Sequence, residues 1–395
     1  MKLYTEVYII LVLSTLLLDF LLYKQAKRSI FINIVFIFAP VIIFIAGFTW
    51  VKFFYQLFSA HQLPLLIMWF NMGFLAIYVP KFIIVISNYI SAKKKYTIST
   101  VRIFRNALIA LVLIVFAYGV FITPQTISVK RIDIPFRNLP TEFDNYTIVQ
   151  FSDVHLGSRP NDPQFYKKLV AEINRQQPDI VVFTGDMVNN FASEMVGFDT
   201  LFSQIKSKDG NFAVLGNHDY GDYSVWDTEA EKSDNLNQIK NSFKKFGFQL
   251  INNESLYLKK NSDSIALIGV ENYRKKKPQN YSNLQKALKG INSKAFKLLL
   301  SHNPQHWERE ILPQTDIDLT LSGHTHAAQM GFNIFGKIFS PAIFLFKQYY
   351  GVYEHENQKI YVSRGLGYIG LPLLIGLNPE ISIIKLKYQK SESEN

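Results

Sequence analysis

An α/β domain carried behind a four-helix transmembrane region is the architecture that this 395-residue sequence predicts. Apolar residues form long unbroken runs over the first third, whereas beyond about residue 130 short apolar runs alternate with amphipathic stretches. The length also exceeds that at which a single hydrophobic core keeps growing, so two or more structural units are expected.

Taken in order, the stretches at about 7–23, 30–50, 65–90 and 106–123 each approach or exceed the roughly 17 to 25 residues that cross a bilayer. Core helices of a soluble domain would show a polar face at helical spacing, and the second and fourth stretches have almost none. Residues 1–125 therefore read as a membrane region. Basic residues gather in "KQAKRS" after the first span and in "SAKKKYTISTVRIFR" after the third, while the loop between spans two and three carries only Lys52. The positive-inside rule makes those two basic loops cytoplasmic, which places everything after Pro124 on the extracytoplasmic side of a multi-pass membrane protein. No small-residue cleavage site ends the first span, so it is not read as a removable leader. A chain with no cysteine has no thiol chemistry to manage in that compartment. Asp19 and Lys81 are ionisable groups within the spans. Asp19 lies about a turn from a basic loop and Lys81 follows Pro80, so both read as interfacial, snorkelling side chains.

Residues 126–144 read as a linker, 145–388 as the α/β domain, and 389–395 ("QKSESEN") as a disordered tail. The stretch "DPQFYKKLVAEINRQQPD" predicts a helix. Asp162 caps it, Phe165, Leu169 and Ile173 share a face, and Pro178 follows its end. The next run, "DIVVF", is too apolar to be exposed on either side, and strand, helix, strand is the order of a layered α/β domain.

Polar residues stand in one position throughout this domain, directly after apolar runs. "IVQFSDVHLG" delivers Asp153 and His155, "IVVFTGDM" delivers Asp186, and "FAVLGNHDYG" delivers Asn217, His218 and Asp219. "FKLLLSHNP" then gives His302, and "LTLSGHTH" gives His324 and His326. Ligands of open α/β sheets collect beyond the carboxyl ends of strands. Imidazole, carboxylate and a neutral amide oxygen together suit borderline divalent ions such as Mn, Fe or Zn, whereas Ca and Mg prefer all-oxygen surroundings. A lone "GD" or "DVH" is usually a turn; five such sites in series point to a binuclear metal centre.

The ordered set "DVH", "GD", "GNHD", "H" and "GHTH" resembles the signature of the calcineurin-like metallophosphoesterase superfamily, and "SRGLG" and "NPEI" resemble its membrane-associated bacterial branch. That resemblance implies a four-layer αββα sandwich over roughly Asn145 to Tyr388. It also implies that Asp153, His155 and His326 hold one metal, that Asn217, His302 and His324 hold the second, and that Asp186 bridges them. Hydroxide supplied by the two cations would attack phosphorus in line. His218 would act as general acid or stabilise the phosphoryl charge, with Asp219 orienting it.

The substrate implied is a phosphate ester, a diester in the first instance, lipid- or envelope-linked because the spans hold the site near the bilayer, with membrane lipids as the other partner. Alternatives are hydrolysis of the pyrophosphate of UDP-diacylglucosamine, which needs a cytoplasmic site, a nuclease, and a non-catalytic metal-binding membrane sensor. Against the sensor, all seven ligand positions and His218 are filled. Against nucleic acid, much of the net charge of +11 lies in the membrane loops. Arg364, before a glycine-rich turn, is a candidate phosphate clamp. His61, His306 and His355 read as non-ligands, and the basic run Arg274 to Lys277 as a solvated loop within reach of anionic headgroups. Oligomeric state leaves no trace in the sequence.

Overall fold

The computed structural model describes residues 2–25, 42, 62–92, 98–160, 162–275, 280–335 and 337–390. It divides into two units, residues 1–121 with 370–373, and residues 122–369 with 374–395. In the first unit α1 spans Lys2–Gln25, α2 spans Gln62–Ala92 and α3 spans Ile98–Phe121. Among the described residues two helices are long and apolar enough to cross a membrane, Pro64–Ala92 and Ser99–Gln125. The second expected span, 30–50, lies outside the described residues except for residue 42, and His61 lies outside them too.

Asp19 and Lys81 do not snorkel separately, which corrects the sequence expectation. Lys81 Nζ lies 2.6 Å from Asp19 Oδ1, the Tyr78 hydroxyl donates to Asp19 Oδ2 at 3.1 Å, and Asp19 is wholly buried. A buried carboxylate is costly unless paired and hydrogen-bonded, and here it is both. Pro80 does not break the segment, because α2 runs through it.

The second unit holds two mixed six-stranded sheets. The first has the strand order β1-β14-β2-β3-β4-β5, with β5 (Gln249–Leu250) at its edge, the second β12-β13-β9-β8-β7-β6, with β6 (Glu254–Lys260) at its edge, and a separate hairpin pairs β10 (Phe332–Ile334) with β11 (Lys337–Phe339). In the first sheet, β2 (Thr147–Phe151), β3 (Ile180–Phe183) and β4 (Asn211–Ala213) run parallel to one another. In the second, β7 (Asp263–Gly269), β8 (Lys297–Leu300), β9 (Leu319–Ser322) and β13 (Gln358–Val362) do the same.

The two-residue period of a strand decides the layering. Along β3, Ile180 and Val182 join an apolar cluster shared with Leu267, Leu298 and Leu321 of the other sheet, whereas Val181 and Phe183 face a second cluster. That second cluster is completed by Leu169 and Ile173 of α4 (Pro163–Arg175) and by Ile239 and Phe243 of α5 (Glu229–Lys245). Along β8, Leu298 and Leu300 face inward, while Leu299 turns outward to Trp307 and Ile311. Both sheets are thus buried on both faces, which explains why their strands read as unbroken apolar runs. At the start of α4 the Asp162 carboxylate accepts from Phe165 N at 3.1 Å, satisfying one of the free amides of the first turn.

The linker expected at 126–144 is not one. β1 (Ser128–Phe136) pairs in parallel with β14 (Glu380–Tyr388), Ser128 opposite Glu380, and so begins the domain well before residue 145. Its pattern was concealed because β1 is an edge strand with charged residues, Lys130, Arg131 and Asp133, along it.

Candidate metal centre

Parallel strands deliver their following residues to one end of each sheet. Asp153 and His155 follow β2, Asp186 follows β3, Asn217 and His218 follow β4, His302 follows β8, and His324 and His326 follow β9. Five of these eight adopt left-handed backbone, with φ of 53° at Asp153, 47° at His155, 63° at Asp186, 74° at His324 and 49° at His326. Each costs on the order of 1–2 kcal/mol for a residue bearing a Cβ. Strain of this kind persists where surrounding structure enforces it, and it gathers at functional sites. The glycines beside these residues allow the crowding. A Cβ on Gly216 would lie 2.2 Å from Asp186 Oδ1, and one on Gly323 would lie 2.3 Å from Asp153 Oδ2.

The side chains converge as two groups. Asp153, His155 and His326 form one, Asp186, His302 and His324 the other, and within each group the potential ligand atoms lie within 4.8 Å of one another. His155 Nε2 and His326 Nε2 are 3.1 Å apart, and Asp153 Oδ1 is 3.3 Å from the latter. In the second group three electron-pair donors surround His302 Nε2: Asn217 Oδ1 at 3.0 Å, His324 Nδ1 at 3.1 Å and Asp186 Oδ2 at 3.2 Å. One ring nitrogen has at most one proton to offer them. Donors that outnumber the protons available to join them are arranged for cations, and this set of imidazole, carboxylate and amide oxygen fits borderline divalent ions. Asp186 Oδ2 is also 3.7 Å from His155 Nε2, so a single carboxylate oxygen faces both groups.

Hydrogen bonds behind these atoms fix their direction. His302 Nδ1 lies 2.8 Å from the Thr184 carbonyl, which can only accept, so Nδ1 carries hydrogen and Nε2 is turned to the cluster. Asn217 Nδ2 donates to the Tyr223 hydroxyl at 3.0 Å, leaving Oδ1 aimed at His302. Charges follow the geometry. Burial opposes ionisation of Asp153, but the neighbouring His326 and His302 hold its carboxyl at about 2. Burial likewise opposes the charge on Asp186, and His302 and His218 outweigh it and hold the group well below the usual range. Burial, reinforced by His218, pushes His155 down to about 3, and burial with His302 does the same to His324. Burial would lower His302 too, yet the Asp186 carboxylate lifts it to about 9. At neutral pH the carboxylates are therefore charged, and His155 and His324 present free lone pairs.

Two expectations for neighbouring residues are corrected. Asp219 does not orient His218. Its carboxylate accepts four backbone amides, those of Gly216 and Asp186 at 2.9 Å, Met187 at 2.8 Å and Val188 at 3.3 Å, and so ties the β3 and β4 turns together. His218 is oriented by groups the sequence gave no sign of. Its Nδ1 is 2.7 Å from the Asn189 carbonyl, its ring stacks on Tyr223 at 4.5 Å, and its backbone amide donates to Asp186 Oδ1 at 2.8 Å. Arg364 is not free to clamp phosphate either. Its Nη2 donates to Ser128 Oγ at 2.7 Å and its Nε lies 3.3 Å from the buried Glu380.

Of the other histidines, His306 is buried between Ser301 Oγ at 3.0 Å and Glu310 Oε2 at 3.2 Å, and His355 is exposed on β12 (Gly351–His355). Within the basic run, residues 276–279 lie outside the described residues. Glu194 belongs to no motif visible in the sequence. It accepts the amides of Gly157, Asn189, Asn190 and Phe191, binding the loop after His155 to the one after Asp186.

A protein-family model for calcineurin-like phosphoesterases matches residues 146–328, the stretch that holds every candidate ligand. Over those residues the chain is similar to that family. Relatives of the metallophosphoesterase domain occur in bacteria and in animals, so the likeness is wider than a bacterial branch. The chain is 30% identical over 292 residues to a zebrafish (Danio rerio) transmembrane protein with a metallophosphoesterase domain, covering 72% of this chain and 63% of that one. It is 34% identical over 242 residues to an uncharacterized metallophosphoesterase of Helicobacter pylori, covering 60% and 59%. With the uncharacterized metallophosphoesterase YkuE of Bacillus subtilis it shares 29% over 280 residues, covering 69% and 90%. The chain thus spans less than two thirds of the length of the first two relatives.

Proposed function

We propose that this chain is a membrane-anchored phosphoesterase that depends on two divalent metal ions. The observation that carries the reading is the position of Asp186 Oδ2, shared between His155 at 3.7 Å and His302 at 3.2 Å. Asp153, His155 and His326 would hold one ion and Asn217, His302 and His324 the other, with Asp186 common to both; Mn, Fe and Zn suit these ligands. Two such ions would supply a nucleophile at neutral pH and offset charge on the transferring phosphoryl oxygens.

The chain's own residues do the rest. Asp186 and Asp153, ionised at neutral pH, balance the positive charge of the centre. Asp219 and Glu194 hold the turns that set the ligand spacing. His218, its Nδ1 hydrogen bonded to the Asn189 carbonyl, has Nε2 available to protonate the leaving oxygen or to stabilise the phosphoryl group. The substrate class is a phosphate ester, a diester in the first instance, and the long apolar helices favour a lipid- or envelope-linked one. All four expected spans and the outward-facing domain belong to this proposal, supported by the apolar runs and the distribution of lysine and arginine.

The test is hydrolysis of bis-p-nitrophenyl phosphate and p-nitrophenyl phosphate by detergent-purified protein, metal-stripped and then refilled with Mn, beside Asp186→Ala. Activity that returns with Mn and falls at least about a thousandfold in the variant is expected. Turnover unaffected by stripping or by the variant would reject the reading.

A further inference from the structure

Directly after the His326 turn the chain does something a water-facing surface seldom does. β10 (Phe332–Ile334) and β11 (Lys337–Phe339) form an isolated two-stranded hairpin in which Phe332 pairs with Phe339 and Ile334 with Lys337. Cross-strand partners share a face. Phe332, Ile334 and Phe339 therefore share one face with Lys337, and the three apolar side chains on it are exposed. Phe335 at the turn is 103% exposed, and in the following turn Phe344 is 88% and Leu345 67% exposed. A two-stranded hairpin is marginal in water even without such a burden, and a contiguous apolar patch marks an interaction surface.

We infer that this hairpin and the turn after it dock into the lipid surface, seating the mouth of the metal centre at headgroup depth. The inference rests on the phosphoesterase reading only for its consequence, a substrate whose phosphate lies at the bilayer surface. Three observations favour lipid as the occupant. The stretch 332–347 contains two lysines and no acidic residue; Lys347 is paired with Glu308, and Lys337 on the hairpin sets an ammonium group beside the aromatic side chains, the arrangement of a segment that buries rings while reaching anionic headgroups. The same chain carries two helices long enough to cross a membrane, which keeps a bilayer within reach. Finally, the hairpin is fastened to the ligand turn. Ser340 Oγ donates to the Ala327 carbonyl, Thr325 Oγ1 to the Tyr349 carbonyl at 2.6 Å, and the Tyr349 hydroxyl to the Ile338 carbonyl at 2.7 Å, while the Phe346 ring meets the His324 ring edge-on at 5.7 Å. What the hairpin touches, the site rim touches as well.

The lack of native cysteine makes a direct test available. Phe335→Cys and Phe344→Cys, with Val196→Cys as a control at an exposed position elsewhere in the domain, are labelled with an environment-sensitive fluorophore. The full chain is then placed in nanodiscs of phosphatidylcholine and phosphatidylglycerol. Labels at 335 and 344 should be quenched by lipid-borne nitroxide and shielded at least about fivefold from an aqueous nickel quencher, and the label at 196 should show the reverse. Labels at 335 and 344 as open to the aqueous quencher as the control would overturn the inference. So would labels shielded from water yet untouched by the nitroxide, since the patch would then be covered by protein. A Phe335→Ser/Phe344→Ser variant should lose about tenfold in hydrolysis of a bilayer-resident phosphoester while keeping its rate on bis-p-nitrophenyl phosphate. Equal loss on both compounds counts against the inference. Absence of all turnover would refute the phosphoesterase reading but leave the quenching result to decide the lipid contact.

Discussion

The two ends of the sandwich treat buried polar groups in opposite ways. At the end where the strands begin, beside a crevice of about 920 Å³, the buried charges Asp318 and Lys297 each have partners. Asp318 accepts from Asn138 Nδ2 and from Lys297 N, both at 2.7 Å, and Lys297 Nζ reaches Asp316 at 3.0 Å and two carbonyls. At the end where the strands finish, donors of electron pairs crowd together around too few protons, on backbone held at positive φ. Matched groups stabilise a fold, whereas converging acceptors await a cation. The size of a cavity does not tell the two apart, and the chemistry sits at the other end from the large crevice.

The comparison is most exposed to failure at the adjacent pair His218 and Asp219. His218→Ala should cost about 10²–10⁴ in kcat on an ester with a poor leaving group, with little change in Tm, because the ring is only half buried. Asp219→Ala leaves four backbone amides without their acceptor and should destabilise the protein by about 3 kcal/mol or more, seen as a large fall in Tm with activity lost alongside. If the two variants behaved alike, the division between reacting and supporting residues would not hold.

Next comes the pH dependence of metal uptake. His302, lifted to about 9 against the effect of burial, is protonated in the metal-free protein at neutral pH and must lose that proton to serve as a ligand. Mn affinity, measured by calorimetry, should rise about tenfold per pH unit between 7 and 9 and then level off, with proton release that follows buffer ionisation heat. Stability of the metal-free protein should move the other way. Because the folded pKa lies above the unfolded one, the contribution of His302 is fully present below about 6.5 and is lost as pH rises through about 9. Mn affinity flat across this range would contradict the assignment of His302.

The smallest effect belongs to the opposite end. Asp318→Ala removes the acceptor for Asn138 and for the Lys297 amide and should cost about 1–3 kcal/mol in Tm-derived stability while leaving kcat/KM within about twofold. A large rate effect there would mean that the crevice takes part in function.

How much of this could be read in advance depends on the distance over which each feature is decided. The apolar runs, the cap at Asp162 and the placement of Asp153, Asp186, His302 and His324 after strands are local, because strand period and helix capping act over a few residues. The partner of a charged side chain is not local. Arg364 meets Ser128 across 236 residues, β1 finds β14 across some 250, and Lys81 meets Asp19 across 62. The carbonyls of Asn189 and Thr184, which direct His218 and His302, belong to the backbone and leave no signature in residue type.

By itself, then, the sequence determined which donor atoms arrive at the ends of the strands, because burial on both faces demands apolar runs and a run must end where polar groups reach the surface. Only the tertiary structure decided which of them face one another. A carboxylate at the end of a turn faces two histidine clusters, as Asp186, or clamps backbone amides, as Asp219, according to the groups that folding brings within reach of it.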